Sequence, residues 1–258
     1  MKRTFFKSLL ACLLVLASLL CACGDRDALV YEKERNAYVR EGDGAVFFAA
    51  PQNYRAVKID KSEQIGEIEQ TEGDDLPLYA IYDYAEKNGM DPAIWMADAE
   101  YRVYVAEGTT LPKLWDMQPA KAQIVENATI SYSVGTVDQP ETVQKLLSCY
   151  RDGFSVAYTD ARCTFRLNDA ERNELAFDSK TYGGLYYVLQ IYRFEESIEM
   201  TEEVTDPAGF TPAYEFDYAY ETHNGRTYVR YDLGKSFLYD RATGLCYPIG
   251  GLLDSYFD

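Results

Sequence analysis

AYEFDYAYETHNGRTYVRYD, residues 213 to 232, decides the fold class. Two Tyr-rich alternating runs, Ala213 to Glu221 and Arg226 to Asp232, flank Thr222-His223-Asn224-Gly225. Asn-Gly between alternating runs is a strong hairpin signal, because both central residues of the favoured turn need positive φ. The pattern continues outward. Ser236 to Tyr239 and Leu245 to Tyr247 predict a second hairpin across Asp240 to Gly244. Gly183-Gly184 precedes the long strand candidate Leu185 to Phe194, and Cys163 to Leu167 and Leu175 to Phe177 are shorter candidates. The chain has 23 tyrosines, and aromatics favour half-buried strands.

One segment breaks the strand rhythm. Asp138-Gln139-Pro140-Glu141 has the form of a capping box, with Asp138 as the cap. Val143, Leu146, Leu147 and Tyr150 follow at helical spacing, and Gly153 is the expected stop. The expected fold is therefore α+β, mainly β: antiparallel strands and hairpins, one amphipathic helix at about 139–151, and short helical turns such as one in Leu252 to Phe257. Residues 129–258 read as a helix plus β-meander module, opened by the strand Thr129 to Val134.

Residues 37–110 read as a separate β-rich module. Ala45 to Ala50 is a short apolar run, and Tyr54 to Ile59, Ile65 to Glu69 and Leu76 to Tyr84 are strand-like. Asp91-Pro92 predicts one helical turn over Ala93 to Met96. Glu100 to Ala106 closes the module as a strand with Tyr101, Val103 and Val105 on one face. The order IGEIE, LPLYAIYDY, DPAIWMADAEYRVYV resembles the repeated β-rich unit of lantibiotic-immunity lipoproteins of the nisin-immunity type, and of related uncharacterised Gram-positive lipoproteins. The matching segments are Leu78 to Tyr84, Ala93 to Asp98 and Tyr101 to Val105. The resemblance implies a sequestering or immunity-like role and transfers no catalytic residue. Residues 111–128, with two prolines and a polar mixture, read as a connection ordered around Leu114 and Trp115.

The N-terminus gives the address. Lys2, Arg3 and Lys7 precede an apolar run from Leu9 to Leu20, the layout of a signal peptide over residues 1–22. The run is too short for a comfortable membrane span. Leu20-Cys21-Ala22-Cys23 resembles the bacterial lipobox: an aliphatic residue, then a small one, then cysteine. Cys21 fits worse, because the large Leu20 precedes it. The resemblance makes Cys23 the lipidated first residue of the mature chain. Two acyl chains, each methylene contributing about 0.8 kcal/mol, hold a protein where one does not. The expected location is the extracytoplasmic face of the cell membrane, with residues 23–36 as a lipidated tether.

Composition narrows the partners. Residues 23–258 carry 22 basic and 42 acidic side chains, a net charge of −20. Such a surface does not seek nucleic acid or anionic headgroups, and it attracts cationic partners. Cys149, Cys163 and Cys246 remain after Cys23; one pair is free to oxidise outside the cytoplasm, and the spacing does not name it.

Catalytic signals are faint. The single histidine, His223, sits beside the Asn-Gly turn, a poor place for a general base. Gly153-Phe154-Ser155-Val156-Ala157 echoes a nucleophile elbow but follows a helix instead of leading into one. Asp74-Asp75 and Glu202-Glu203 are local acidic doublets, and Glu41-Gly42-Asp43-Gly44 lacks the closing Glu of a calcium loop. Asn127-Ala128-Thr129 is a glycosylation sequon with no use in an ordinary bacterial lipoprotein. No metal site and no cofactor is expected. Trp95, Trp115 and the Tyr-rich strands are candidates for a groove, weighed against a role in the core. The expected function is a non-enzymatic, membrane-anchored lipoprotein that binds a peptide or protein partner, such as a cationic peptide. The alternatives are an interaction or sensory subunit of an envelope complex and, behind it, a carboxylate-based hydrolase.

Overall fold

The computed structural model describes residues 28–70, 73–81, 94–127 and 131–257. Among the described residues it is mainly β, with antiparallel sheets and one α-helix, as the sequence predicts. The expected lipidation site Cys23, the expected signal segment and the expected Asp91-Pro92 cap lie outside the described residues.

Eight short strands come first: β1 (Ala28–Glu32), β2 (Ala37–Arg40), β3 (Val46–Ala49), β4 (Tyr54–Ala56), β5 (Ile59–Ile68), β6 (Leu76–Ile81), β7 (Trp95–Asp98) and β8 (Val103–Ala106). All but β4 close a barrel in the order β1-β2-β3-β8-β7-β6-β5. Neighbours run antiparallel except β1 and β5, which close it in parallel, Leu29 opposite Ile68. A barrel this small has room only for side chains. Leu29, Phe47, Ile68, Leu78, Met96 and Tyr104 fill it.

Strand alternation then couples the barrel to the rest of the molecule. On β7, Met96 points into the barrel, while Trp95 and Ala97 belong to the main core; on β8, Tyr104 points in, while Val103 and Val105 point out. The outer face of this wall packs with Leu175, Phe177, Leu189 and Ile191 from a second sheet. That sheet contains β9 (Ala122–Asn127), β10 (Ser131–Val137), β11 (Val156–Ala157), β12 (Glu171–Asp178), β13 (Leu185–Arg193), β17 (Ser236–Asp240) and β18 (Leu245–Pro248), in the order β10-β9-β12-β13-β17-β18-β11. Helix α1 (Pro140–Asp152) buries Val143, Leu146 and Leu147 in the same core.

The strand β4 crosses between the two layers. It lies within the barrel's stretch of sequence but pairs with β13, Tyr54 opposite Tyr187. Along the same edge β13 changes partner from β4 to β17, whose pairing starts at Gln190. Asn53 fills the gap. Its carbonyl accepts from the Val188 N–H at 2.6 Å, and its Nδ2 donates to the Val188 carbonyl at 3.1 Å. Farther along β4, Arg55 donates to both oxygens of the buried Glu174 on β12, at 2.7 and 3.0 Å.

A third sheet of β14 (Glu199–Val204), β15 (Tyr218–His223) and β16 (Arg226–Asp232), in the order β14-β16-β15, covers its own apolar cluster. Met200, Val229 and Tyr231 are fully buried there, beside Phe237 and Cys246 of the second sheet.

Several local expectations need correction. Residues 28–32, read as tether, form β1, because Leu29 inserts into the barrel. Residues 122–127, read as connection, form β9, with Ala122 and Ile124 in the core. Over Ala93 to Met96 a helical turn was expected, yet Trp95 and Met96 are in β7, where each has a buried side to fill. Tyr101 does not extend the face of Val103 and Val105; it sits at φ 65° in the turn before β8 and is exposed. Cys163 to Leu167 is not a strand: Cys163 makes a single bridge to Met200, and Leu167–Asp169 is a 3-10 turn. Asp138 does not cap α1. Gln139 holds that position without a side-chain bond, and Pro140 starts the helix, where its missing N–H costs nothing. Gly153 ends α1 in an extended conformation, and it must be glycine because a Cβ there would strike the Cys149 carbonyl oxygen at 2.3 Å.

Candidate binding surface

The hairpin quoted at the outset builds the most distinctive surface. Asn224 and Gly225 take φ 51° and 75°, so the two-residue turn has the expected form. Such a turn makes His223 and Arg226 a hydrogen-bonded pair, and bonded pairs then alternate along the ladder. The register continues through Glu221 opposite Tyr228 and Ala219 opposite Arg230, and the Asp217 carbonyl accepts from the Asp232 N–H at 2.8 Å. The backbone groups of Tyr218, Tyr220 and Thr222 consequently point away from β16. Among the described residues nothing pairs with them.

The other edges differ. The outer edge of β14 is met by the Cys163 bridge and by the Arg162 carbonyl, which accepts from the Thr201 N–H at 3.0 Å. The β10 edge of the second sheet is broken by a bulge between Ser133 and Gly135. Bulges and covering segments are ordinary protection for sheet edges, as are Lys and Pro within the strand. β15, YAYETH, has none of these.

Its two faces are chemically distinct. Tyr218 and Tyr220 share the inner face with Tyr231 and Val229, yet at the rim they remain 47% and 46% exposed. Their rings lie 5.9 Å apart, edge to face, with Phe210 6.3 Å from Tyr220. The opposite face carries ion pairs: Arg230 with Glu221 at 3.0 Å and Glu199 at 3.4 Å, and Arg226 with Glu203 at 3.2 Å. Acid is in excess. Residues 199–232 contain eight Asp and Glu against two Arg.

The remaining candidates lie apart from one another. His223 is exposed, with Nε2 3.5 Å from Glu221, and among the described residues no base-nucleophile pair forms around it. Ser155 is exposed after the helix end. Trp95 is buried in the main core, whereas Trp115 is half-buried 6.5 Å from Tyr150, so the two do not line one groove. Asp75 accepts from the Gln70 N–H, Glu202 pairs with Arg162 at 3.1 Å, and Glu203 pairs with Arg226. Asp43 is held down to about 2 by the hydrogen-bonding Arg40 guanidinium at 2.7 Å. Among the described residues no group of three metal-ligating side chains occurs.

Cys149, Cys163 and Cys246 are free thiols. Burial pushes Cys163 up to about 11 and Cys246 up to about 12, and raises Cys149, so all three are weak nucleophiles. A cleft of about 590 Å³ runs past Cys163, Phe165, Arg166, Phe194 and Ile198, but its thiol is protonated at neutral pH.

One buried carboxylate invites a catalytic reading. Asp240 is 1% exposed and accepts from Asn53 Nδ2 at 2.9 Å, Tyr150 Oη at 3.0 Å and the Ala242 N–H at 2.9 Å. Tyr150 and Tyr187 share a hydrogen bond of 2.8 Å, and burial holds both phenols protonated. The cluster sits where β13 exchanges β4 for β17. It is a polar joint of α1, β13 and β17 with Asn53, which precedes β4.

Sequence reasoning found the Tyr-rich hairpin but missed β14, EMTEEV, whose alternating Met200, Glu202 and Val204 were hidden by their acidic neighbours. No protein-family model, curated protein or solved structure matches the chain.

Proposed function

We propose that this chain is a lipid-anchored protein of the extracytoplasmic membrane face that works without catalysis, by binding a cationic peptide or protein segment. The observation that carries this reading is the acidic surface around an open, tyrosine-lined strand. Aromatic rims supply contact area at low entropic cost, and surrounding acid attracts a basic partner. The resemblance of the barrel strands to lantibiotic-immunity lipoproteins supports a sequestering role. The position of β1 supports a close anchor. If Cys23 carries the lipid, only residues 24–27 separate it from β1, a reach of about 14 Å.

Thermal-shift measurements on residues 24–258 with cationic amphipathic peptides test the binding. A ligand selective for the folded state raises its melting temperature. The expected rise is large at low salt and shrinks with added salt; a rise indifferent to salt removes the charge mechanism. Cys23→Ala tests the anchor. The variant should leave the membrane or stay unprocessed, and normal processing with membrane retention rules that site out.

A further inference from the structure

We infer that the free edge of β15 is the docking site itself, and that it takes a cationic extended segment as a fourth strand of the β14-β16-β15 sheet. The inference rests on the proposed binding reading and gives it a place and a geometry. Three observations converge. Tyr218, Tyr220 and Thr222 direct their N–H and carbonyl groups outward with no partner among the described residues. The strand carries no bulge, lysine or proline, while the β14 and β10 edges are covered or kinked. The surroundings are acidic, with Asp217 and Glu221 on the face opposite the exposed tyrosines.

These features specify the occupant. A strand added to a sheet edge gains affinity from main-chain hydrogen bonds and specificity from alternate side chains. Alternate residues would lie over the Tyr218-Tyr220 rim and over the Asp217-Glu221 face. The fitting partner alternates apolar and basic residues, and the acidity of the whole chain steers it to the edge. A second copy of this chain brings the same acidic strand and fits less well.

The test uses the full chain in detergent and an eight-residue probe of alternating lysine and valine. Controls are the same peptide N-methylated along one edge and a version with glutamate for lysine. Hydrogen exchange is read at single amides. The expected result is that the Tyr218, Tyr220 and Thr222 amides exchange fast alone and slowly with the probe. The Ala219 and Glu221 amides, already bonded to β16, change little. N-methylation and Thr222→Pro, which removes one outward donor, should each weaken binding about tenfold or more. The glutamate peptide should not bind. If Thr222→Pro disturbs the sheet, the N-methylated probe on the unaltered chain decides alone.

Probe binding that leaves the three amides fast overturns edge docking and leaves the binding reading intact. Protection already complete without peptide, in a chain that sediments as a dimer, gives the edge to a second copy and also overturns it. Failure of every cationic peptide, extended or helical, overturns both.

Discussion

Asp98 shows what a single residue secures. It ends β7 fully buried, and its carboxylate accepts from the Glu100 and Arg102 N–H groups at 2.8 and 3.0 Å, from Arg102 Nε at 2.6 Å and from Tyr104 Oη at 3.1 Å. It therefore fixes the left-handed turn at Tyr101 and the inward phenol of the barrel. Asp98→Ala strands these donors. It should cost about 2 to 3 kcal/mol in urea unfolding. A second prediction concerns alkali. Burial raises Tyr54 from 10.0 to about 12, Cys163 from 9.0 to about 11 and Cys246 from 9.0 to about 12. Folding thus favours their protonated forms. The stability they lend is complete below about pH 9 and is lost as pH rises through 11 to 12. The urea midpoint should fall steadily from pH 9 to 11, and a flat midpoint over that range contradicts the assignment. At pH 8 the buried Cys246 should react with a thiol reagent only on unfolding.

At the scale of elements, β4 depends on the pair of Arg55 with Glu174. Glu174 is buried, while Arg55 keeps about a third of its side chain in water. Arg55→Ala leaves a buried carboxylate without its cation and should cost about 2 to 3 kcal/mol, discounted for that exposure. Replacing both residues with leucine should recover much of the loss, and a double-mutant cycle measures the coupling. The same strand shows what the sequence could and could not reveal. The Asn224-Gly225 hairpin and the α1 face were legible because their signals are local: two residues that accept positive φ, and apolar side chains at helical spacing. That Tyr54 to Ala56 is extended was also legible. Its partner was not, because nothing within β4 names Tyr187. β1 was hidden for another reason. It presents one fully buried residue, Leu29, to a narrow lumen and so resembles a polar tether. Asp91-Pro92 signalled a helix start, but the burial of Trp95 and Met96 on opposite sides made the following residues a strand. As for the binding surface, its aromatics were visible in the sequence, and the open edge was not, since openness depends on where every other strand goes.

At the scale of the whole molecule, the main core joins barrel and second sheet without a seam: Trp95, Val103 and Val105 pack in one cluster with Leu146, Leu175 and Ile191. The boundary drawn at residues 110–111 in the sequence is thus not a boundary in the core. Calorimetry should show these two layers melting in one transition. Fragments 23–110 and 111–258 should each fail to fold alone, the first because β4, Trp95 and Val105 lose their cover. An independently folded 23–110, with dispersed amide resonances, would contradict this. The third sheet has a separate cluster, so edge variants such as Thr222→Pro should leave the main transition nearly unchanged.

The placement of β4 also bears on how the chain is made. A chain synthesised N-terminus first delivers Tyr54–Ala56 long before Tyr187, its partner on β13. Until then the outer wall of the barrel, with Trp95 and Val105, faces solvent uncovered. Partly folded chains with bare apolar surface and open strands are prone to aggregate. The first half of the chain is accordingly exposed to aggregation during synthesis, and its protection is timed by the arrival of the C-terminal half.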